Sequence, residues 1–190
     1  MTEELDQQLF LYLNSANSPF WDSVMHFLSM TSVWTPLYLG ILTYLGMTYK
    51  RKFLIIIFFL IIAVALTDQT ALLIKNTVER LRPCHEPALQ GLVHIVNGEC
   101  GGTFGFVSSH AANSFNVALV SLLFIRKKWY SVSILIWAAA IGYSRIYLGV
   151  HYPFDVICGA LLGAFIGTCI YRIYIVTDRI LQQRERPPAP

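Results

Sequence analysis

The chain has 190 residues, of which 55% are apolar and only 13% charged, with a formal net charge of +3 and a mean hydropathy of +0.54. That charged share is about half the soluble average, and a chain of this length cannot bury so much apolar surface in one water-soluble core. The composition excludes a disordered protein, a nucleic-acid-binding module and most soluble enzymes, and it leaves an integral membrane protein.

Residues 1–18 open on Glu3, Glu4 and Asp6, where a signal peptide would carry bases. Leu5, Leu9, Tyr12 and Leu13 recur at helical spacing against Glu4, Asp6, Gln7, Gln8 and Asn14. That pattern predicts an amphipathic helix lying in the outer membrane interface. Five apolar segments follow, at about 22–48, 53–74, 106–125, 131–148 and 154–176, near the length of about 20 residues that a spanning helix needs. The expected fold is therefore all-α: an integral-membrane bundle of five spanning helices plus the N-terminal interfacial helix, in one domain over 1–178. Residues 179–190 are charged and proline-rich with no apolar period, which predicts a disordered cytoplasmic tail.

Orientation follows from the bases. Alternate crossings place ten of the fourteen Lys and Arg residues on one side, in the 50–52 loop, the 126–128 loop and the C-terminal stretch. Nine of the eleven acids fall on the other side. Basic loops favour the cytoplasm, so the 75–105 loop and the 149–153 turn are expected to face the periplasm or the cell exterior.

Ionisable residues at a membrane boundary are costly and point to function. Lys75 and Arg82 stand seven residues apart, two helical turns, which puts both cations on nearly the same face. Pro83 then marks a boundary. Two such cations suit a phosphate, although each can also snorkel to lipid headgroups. Ser108, Ser109 and His110 stand where the third span begins, and helix N-termini attract anions. Ser144 and Arg145 precede His151, and Asp155 follows that histidine by four residues. A carboxylate at this spacing can orient the imidazole and raise its nucleophilicity. The topology, derived without these residues, puts all three clusters on one membrane face. Together they supply what phosphoryl transfer through a phosphohistidine needs.

The order Lys75–x6–Arg82–Pro83, then Ser108-Ser109-His110, then Ser144-Arg145–x5–His151–x3–Asp155 closely resembles the three-part signature of the type-2 phosphatidic acid phosphatase superfamily. One block departs from the pattern. The family usually has Pro-Ser-Gly-His where this chain has Val107-Ser108-Ser109-His110. Serine at the glycine position adds a Cβ and a hydroxyl beside the phosphate. The resemblance implies that His151 attacks phosphorus with Asp155 orienting its ring, and that His110 protonates the leaving oxygen and then activates water. It implies that Lys75, Arg82, Arg145, Ser108 and the Ser109 backbone hold the phosphate oxygens, with no metal and no other cofactor.

Cys84 and Cys100 lie on the outward loop with fifteen residues between them. A disulfide is the first reading on an oxidising face, free thiols the second, and a zinc site with the nearby His85, His94, Glu86 or Glu99 the third. Gly159, Gly163 and Gly167 recur every four residues on the last span and read as a close packing face within the monomer.

The resemblance implies a membrane lipid phosphatase of the bacterial inner membrane, acting on a lipid in the outer leaflet. The leading substrates are undecaprenyl pyrophosphate and a lipid A phosphate, ahead of phosphatidylglycerophosphate and phosphatidic acid. A lipid phosphotransferase would use the same residues. The expected partner is a membrane lipid, not a nucleic acid.

Overall fold

In a computed structural model, residues 2–184 form an all-helical bundle with no strands among the described residues. The amphipathic segment at the start is helix α1 (Thr2–Ser15). The first expected span, 22–48, is instead two helices, α2 (Pro19–Ser29) and α3 (Thr35–Tyr49). Met30 between them is extended, and Thr31–Trp34 forms a 3-10 turn. Pro36 accounts for the break. It lacks an N–H and its ring clashes with the carbonyl four residues back, so a helix can begin at that proline but not run through it.

The basic turn Lys50–Lys52 leads into α4 (Phe53–Val78), four residues longer than expected. Glu79 then adopts a left-handed conformation, φ 52°, and ends the helix. Lys75 and Arg82 therefore do not share a helix face as the spacing suggested; Arg82 is extended, at the start of the 3-10 turn Pro83–His85. Helix α5 spans Ser109–Ile125, α6 spans Lys128–Tyr147 and α7 spans Pro153–Arg184. The helical hydrogen bonds of α7 carry on past the expected boundary at 178, so residues 179–184 are helix rather than tail, and 185–190 lie outside the described residues.

Helix α5 is the centre of the bundle, packed chiefly on α7 and α6, with α4 against both α5 and α7. The α5–α7 approach depends on the glycine stripe: a Cβ on Gly163 would run into the carbonyl of Ala112. A buried polar tie joins α5 to α4, where Asn116 Nδ2 donates to Thr67 Oγ1 at 2.7 Å and to the Ala63 carbonyl at 3.3 Å. Leu45, Ile56, Val120, Phe124 and Tyr174 belong to the central core. Outward, Leu54, Phe58, Ile61, Leu161 and Phe165 are exposed. Two stretches, Thr31–Val78 and Pro153–Gln183, are long and apolar enough to cross a membrane.

Helix α1 is held against the 75–105 loop and the α6–α7 turn. Phe10 is fully buried, edge-on to Tyr152 with ring centroids 5.4 Å apart. Asn14 Nδ2 donates to the carbonyls of Tyr147 at 2.8 Å and His94 at 3.0 Å, and its Oδ1 accepts from the His94 N–H at 2.7 Å. Leu5, Leu9 and Tyr12 are left exposed.

Candidate active site

Three interruptions of helix meet at one end of the bundle: the end of α4, the start of α5, and the α6–α7 turn. Lys75, in the last turn of α4, donates from Nζ to Ser109 Oγ at 3.3 Å. The serine at the family's glycine position thus meets the first cation of the signature.

Arg82 is carried by the loop. Its backbone N–H donates to Thr103, and a single antiparallel bridge pairs Leu81 with Phe104. Its guanidinium donates from Nη1 to the Cys100 carbonyl at 3.1 Å and from Nε to the Phe104 carbonyl at 3.2 Å. Cys84 and Cys100 form a disulfide with α-carbons 6.0 Å apart, so the covalent loop closure also holds an Arg82 acceptor. His85 is near both sulfurs, but bonded sulfurs are not the thiolates that zinc binds. His94 is engaged elsewhere, 2.9 Å from Asp22. Gly105 must be small, because a Cβ there would stand 3.1 Å from Asp155 Oδ2 and 3.2 Å from Arg82 Cγ.

Ser108 caps α5, its Oγ accepting from the Ala111 N–H at 3.4 Å while its own N–H donates to the Asp155 carbonyl at 3.0 Å. The capping interaction uses the buried hydroxyl as an acceptor and leaves its hydrogen free to donate. The backbone N–H groups of Ser109 and His110 are in the helix's first turn, where no intrahelical acceptor exists. Anions bind there readily.

The last turn of α6 carries Arg145, whose Nη1 donates to Ser29 Oγ on α2 and whose Nε is buried without a partner. The Arg145 carbonyl accepts from the N–H groups of Val150 and His151, which ties the histidine's backbone to the arginine. At the start of α7, Asp155 Oδ2 reaches back to the Tyr152 N–H at 3.0 Å, the reciprocal half of a capping box. The same oxygen lies 3.5 Å from His151 Nδ1. That separation is beyond a formed hydrogen bond, although such bonds often tighten only when substrate arrives.

Both partners are buried, His151 at 2% and Asp155 at 0% exposure. Burial pushes the His151 ring well below its ordinary pKa, and Arg82, Arg145 and Lys75 push it in the same direction. A neutral imidazole beside three cations has a lone pair available for a phosphate that the cations attract. A cavity of about 750 Å³ has His110 and Arg145 in its wall beside Glu99, Gly101, His26 and Ser29.

A model of the PAP2 superfamily matches residues 52–178. The chain belongs to the PAP2 superfamily. Its relatives in that superfamily include a lipid A 4'-phosphatase of Bacteroides thetaiotaomicron, 41% identical over 90% of this chain and 77% of the relative. A lipid A 4'-phosphatase of Porphyromonas gingivalis is 32% identical over 90% of this chain and 74% of that one. Among solved structures, Aquifex aeolicus LpxE superposes with a TM-score of 0.69 at 29% identity, covering 87% of this chain and 93% of its own. The PAP2 type phosphatidylglycerolphosphate phosphatase of Bacillus subtilis, at 21% identity and a TM-score of 0.70, covers 99% of this chain and 89% of its own and shares the fold.

Two PAP2 site neighbours escape a reading of the sequence. Arg80 donates from Nη1 to Asp155 Oδ1 and from Nη2 to Asp6 Oδ2, both at 2.8 Å. Ser29 supports Arg145 from a helix more than a hundred residues away in the chain. Nothing local distinguishes either; only a charge between Lys75 and Arg82 hints at Arg80.

Proposed function

We propose that the chain is a membrane lipid phosphatase that removes the 4'-phosphate of lipid A through a phosphohistidine on His151. The observation that carries this reading is the buried His151–Asp155 pair, with its ring kept neutral beside Lys75, Arg82 and Arg145. The two lipid A 4'-phosphatases, at 41% and 32% identity, favour that substrate over a pyrophosphate.

In the first step a His151 ring nitrogen attacks phosphorus in line, the phosphorus–oxygen bond to the lipid breaks, and His110 gives its proton to the departing oxygen. Asp155 holds the ring. Lys75, Arg82, Arg145, the Ser108 hydroxyl and the Ser109 N–H balance the charge on the phosphoryl oxygens. In the second step His110 takes a proton from water, the water oxygen attacks phosphorus, and the phosphorus–nitrogen bond breaks to release phosphate. Three cations supply the charge that a metal pair supplies elsewhere.

In this reading α3 to α7 cross the cytoplasmic membrane five times, and the basic turns at 50–52 and 126–128 support an active site on the outer face with the C-terminus inside. The single domain extends from α1 through α7. Exposed apolar faces on α4 and α7 allow the lipid to arrive from the bilayer.

The test is phosphate release in detergent from lipid A, undecaprenyl pyrophosphate, phosphatidylglycerophosphate and phosphatidic acid, with His151→Ala as control. The expected result is preferential loss of the lipid A 4'-phosphate, unchanged by chelator and absent in the variant. Preference for the pyrophosphate would reassign the substrate. Transfer to a second lipid without free phosphate would make it a phosphotransferase.

A further inference from the structure

We propose that Arg80 and Asp6 are positioning residues of this phosphatase, a charged clamp through which helix α1 orients Asp155 and thereby His151. The inference rests on the phosphohistidine reading above and concerns residues outside its signature.

The guanidinium of Arg80 is divided between two carboxylates, Nη1 to Asp155 Oδ1 and Nη2 to Asp6 Oδ2, each at 2.8 Å. The three side chains are shielded, at 17% exposure for Arg80, 10% for Asp6 and 0% for Asp155. Charge-assisted bonds in such surroundings are short, strong and directional. With Oδ1 taken by Arg80, the plane of the Asp155 carboxylate is set. Its Oδ2 is left facing the Tyr152 N–H at 3.0 Å and His151 Nδ1 at 3.5 Å.

The clamp has two further anchors. Asp6 Oδ1 accepts from the Phe154 N–H at 3.0 Å, holding the turn of α7 that carries Asp155. The Arg80 guanidinium lies 4.1 Å from the centroid of the Tyr152 ring, and Tyr152 in turn packs on Phe10 of α1. Helix α1 thus reaches the nucleophile's partner through Arg80 and through the Tyr152–Phe154 turn, while its exposed Leu5, Leu9 and Tyr12 suit the bilayer interface. An anchor of α1 alone would not need Asp155; Arg80 bonds it directly.

Misplacing a reacting group by about 1 Å costs about 10²-fold in rate. Arg80→Gln should therefore lower kcat for phosphate release from lipid A about 100-fold, Arg80→Lys about 10-fold and Asp6→Asn about 5-fold. KM and the inhibition constant of inorganic vanadate, which reads the phosphate pocket, should stay within about 2-fold because the clamp does not touch substrate. Asp6→Asn added to Arg80→Gln should cost less than about 2-fold more, since coupled residues are non-additive. Unchanged kcat, a loss confined to KM or vanadate affinity, or multiplying effects would each overturn the clamp. Should Arg80→Gln fail to elute as folded protein, the Arg80→Lys and Asp6→Asn pair supports the same cycle. Wild-type release that survives His151→Ala would sink the phosphohistidine reading itself. Release that needs His151 but ignores Arg80 would sink only the clamp.

Discussion

Gly159 of α7 and Ser108, the cap of α5, meet so closely that a methyl group built on the glycine would stand 2.5 Å from the serine carbonyl. The contact joins the packing of the bundle to the candidate site, because the residue being approached is the cap of the helix that carries Ser109 and His110.

This contact grades the glycine stripe. Gly159→Ala and Gly163→Ala force Cβ against the backbone of Ser108 and Ala112, whereas Gly167→Ala first meets the Val120 side chain at 2.9 Å. Overpacking costs about 1–3 kcal/mol, and a side chain yields more easily than a backbone. Thermal unfolding in detergent should rank Gly163→Ala and Gly159→Ala below Gly167→Ala, with Gly159→Ala losing activity as well. Gly40→Ala, with nothing within 4 Å, should be neutral or slightly stabilising.

The His151 ring should control the response to acid. On the proposed mechanism it must be neutral to attack, and burial with three neighbouring cations sets its pKa well below the ordinary 6.5. Attack by this group should therefore persist as pH falls through 6.5, and its loss of kcat/KM should begin only at more acid pH. Stability moves the other way. Between the folded and unfolded pKa values the unfolded chain binds the proton and the folded chain does not, so acid favours unfolding by up to about 1.4 kcal/mol per pH unit from this group. A pH–rate profile and a pH series of melting temperatures test the two statements separately. An acid limb in kcat/KM centred near 6.5 would contradict the first.

The loop that holds Arg82 is closed by Cys84 and Cys100, and closing a loop of this size contributes about 3 kcal/mol. Cys84→Ser with Cys100→Ser should lower the melting temperature. It should also raise KM several-fold, because the Cys100 carbonyl is an acceptor for Arg82. Loss of thermal stability with an unchanged KM would separate the loop from phosphate binding.

Ser109→Gly restores the commoner family residue and removes the Oγ that meets Lys75 Nζ at 3.3 Å. One such bond contributes about 1 kcal/mol, so kcat/KM should fall about 5-fold. A gain in activity would instead mean that the serine narrows the site.

Much of this protein was legible in its residues. Composition pointed to a membrane protein, because uncharged runs of spanning length cannot be hidden in so small a core, and two stretches of the bundle are long and apolar enough to cross one. Spacing singled out Lys75, Arg82, Ser108–His110, Arg145, His151 and Asp155 as candidates, since each cluster is a set of residue types at a local interval. The expected 22–48 span broke because Pro36 acts on the backbone against a hydropathy that runs straight through it. Arg82 left the helix face of Lys75 because Glu79 turned left-handed, a choice made by the ends of packed elements rather than by period. Arg80, Asp6 and Ser29 were decided by tertiary structure alone. An ion pair between residues 74 positions apart leaves no periodic trace. It exists only once α1, the 75–105 loop and α7 have been folded together, and burial then makes it strong.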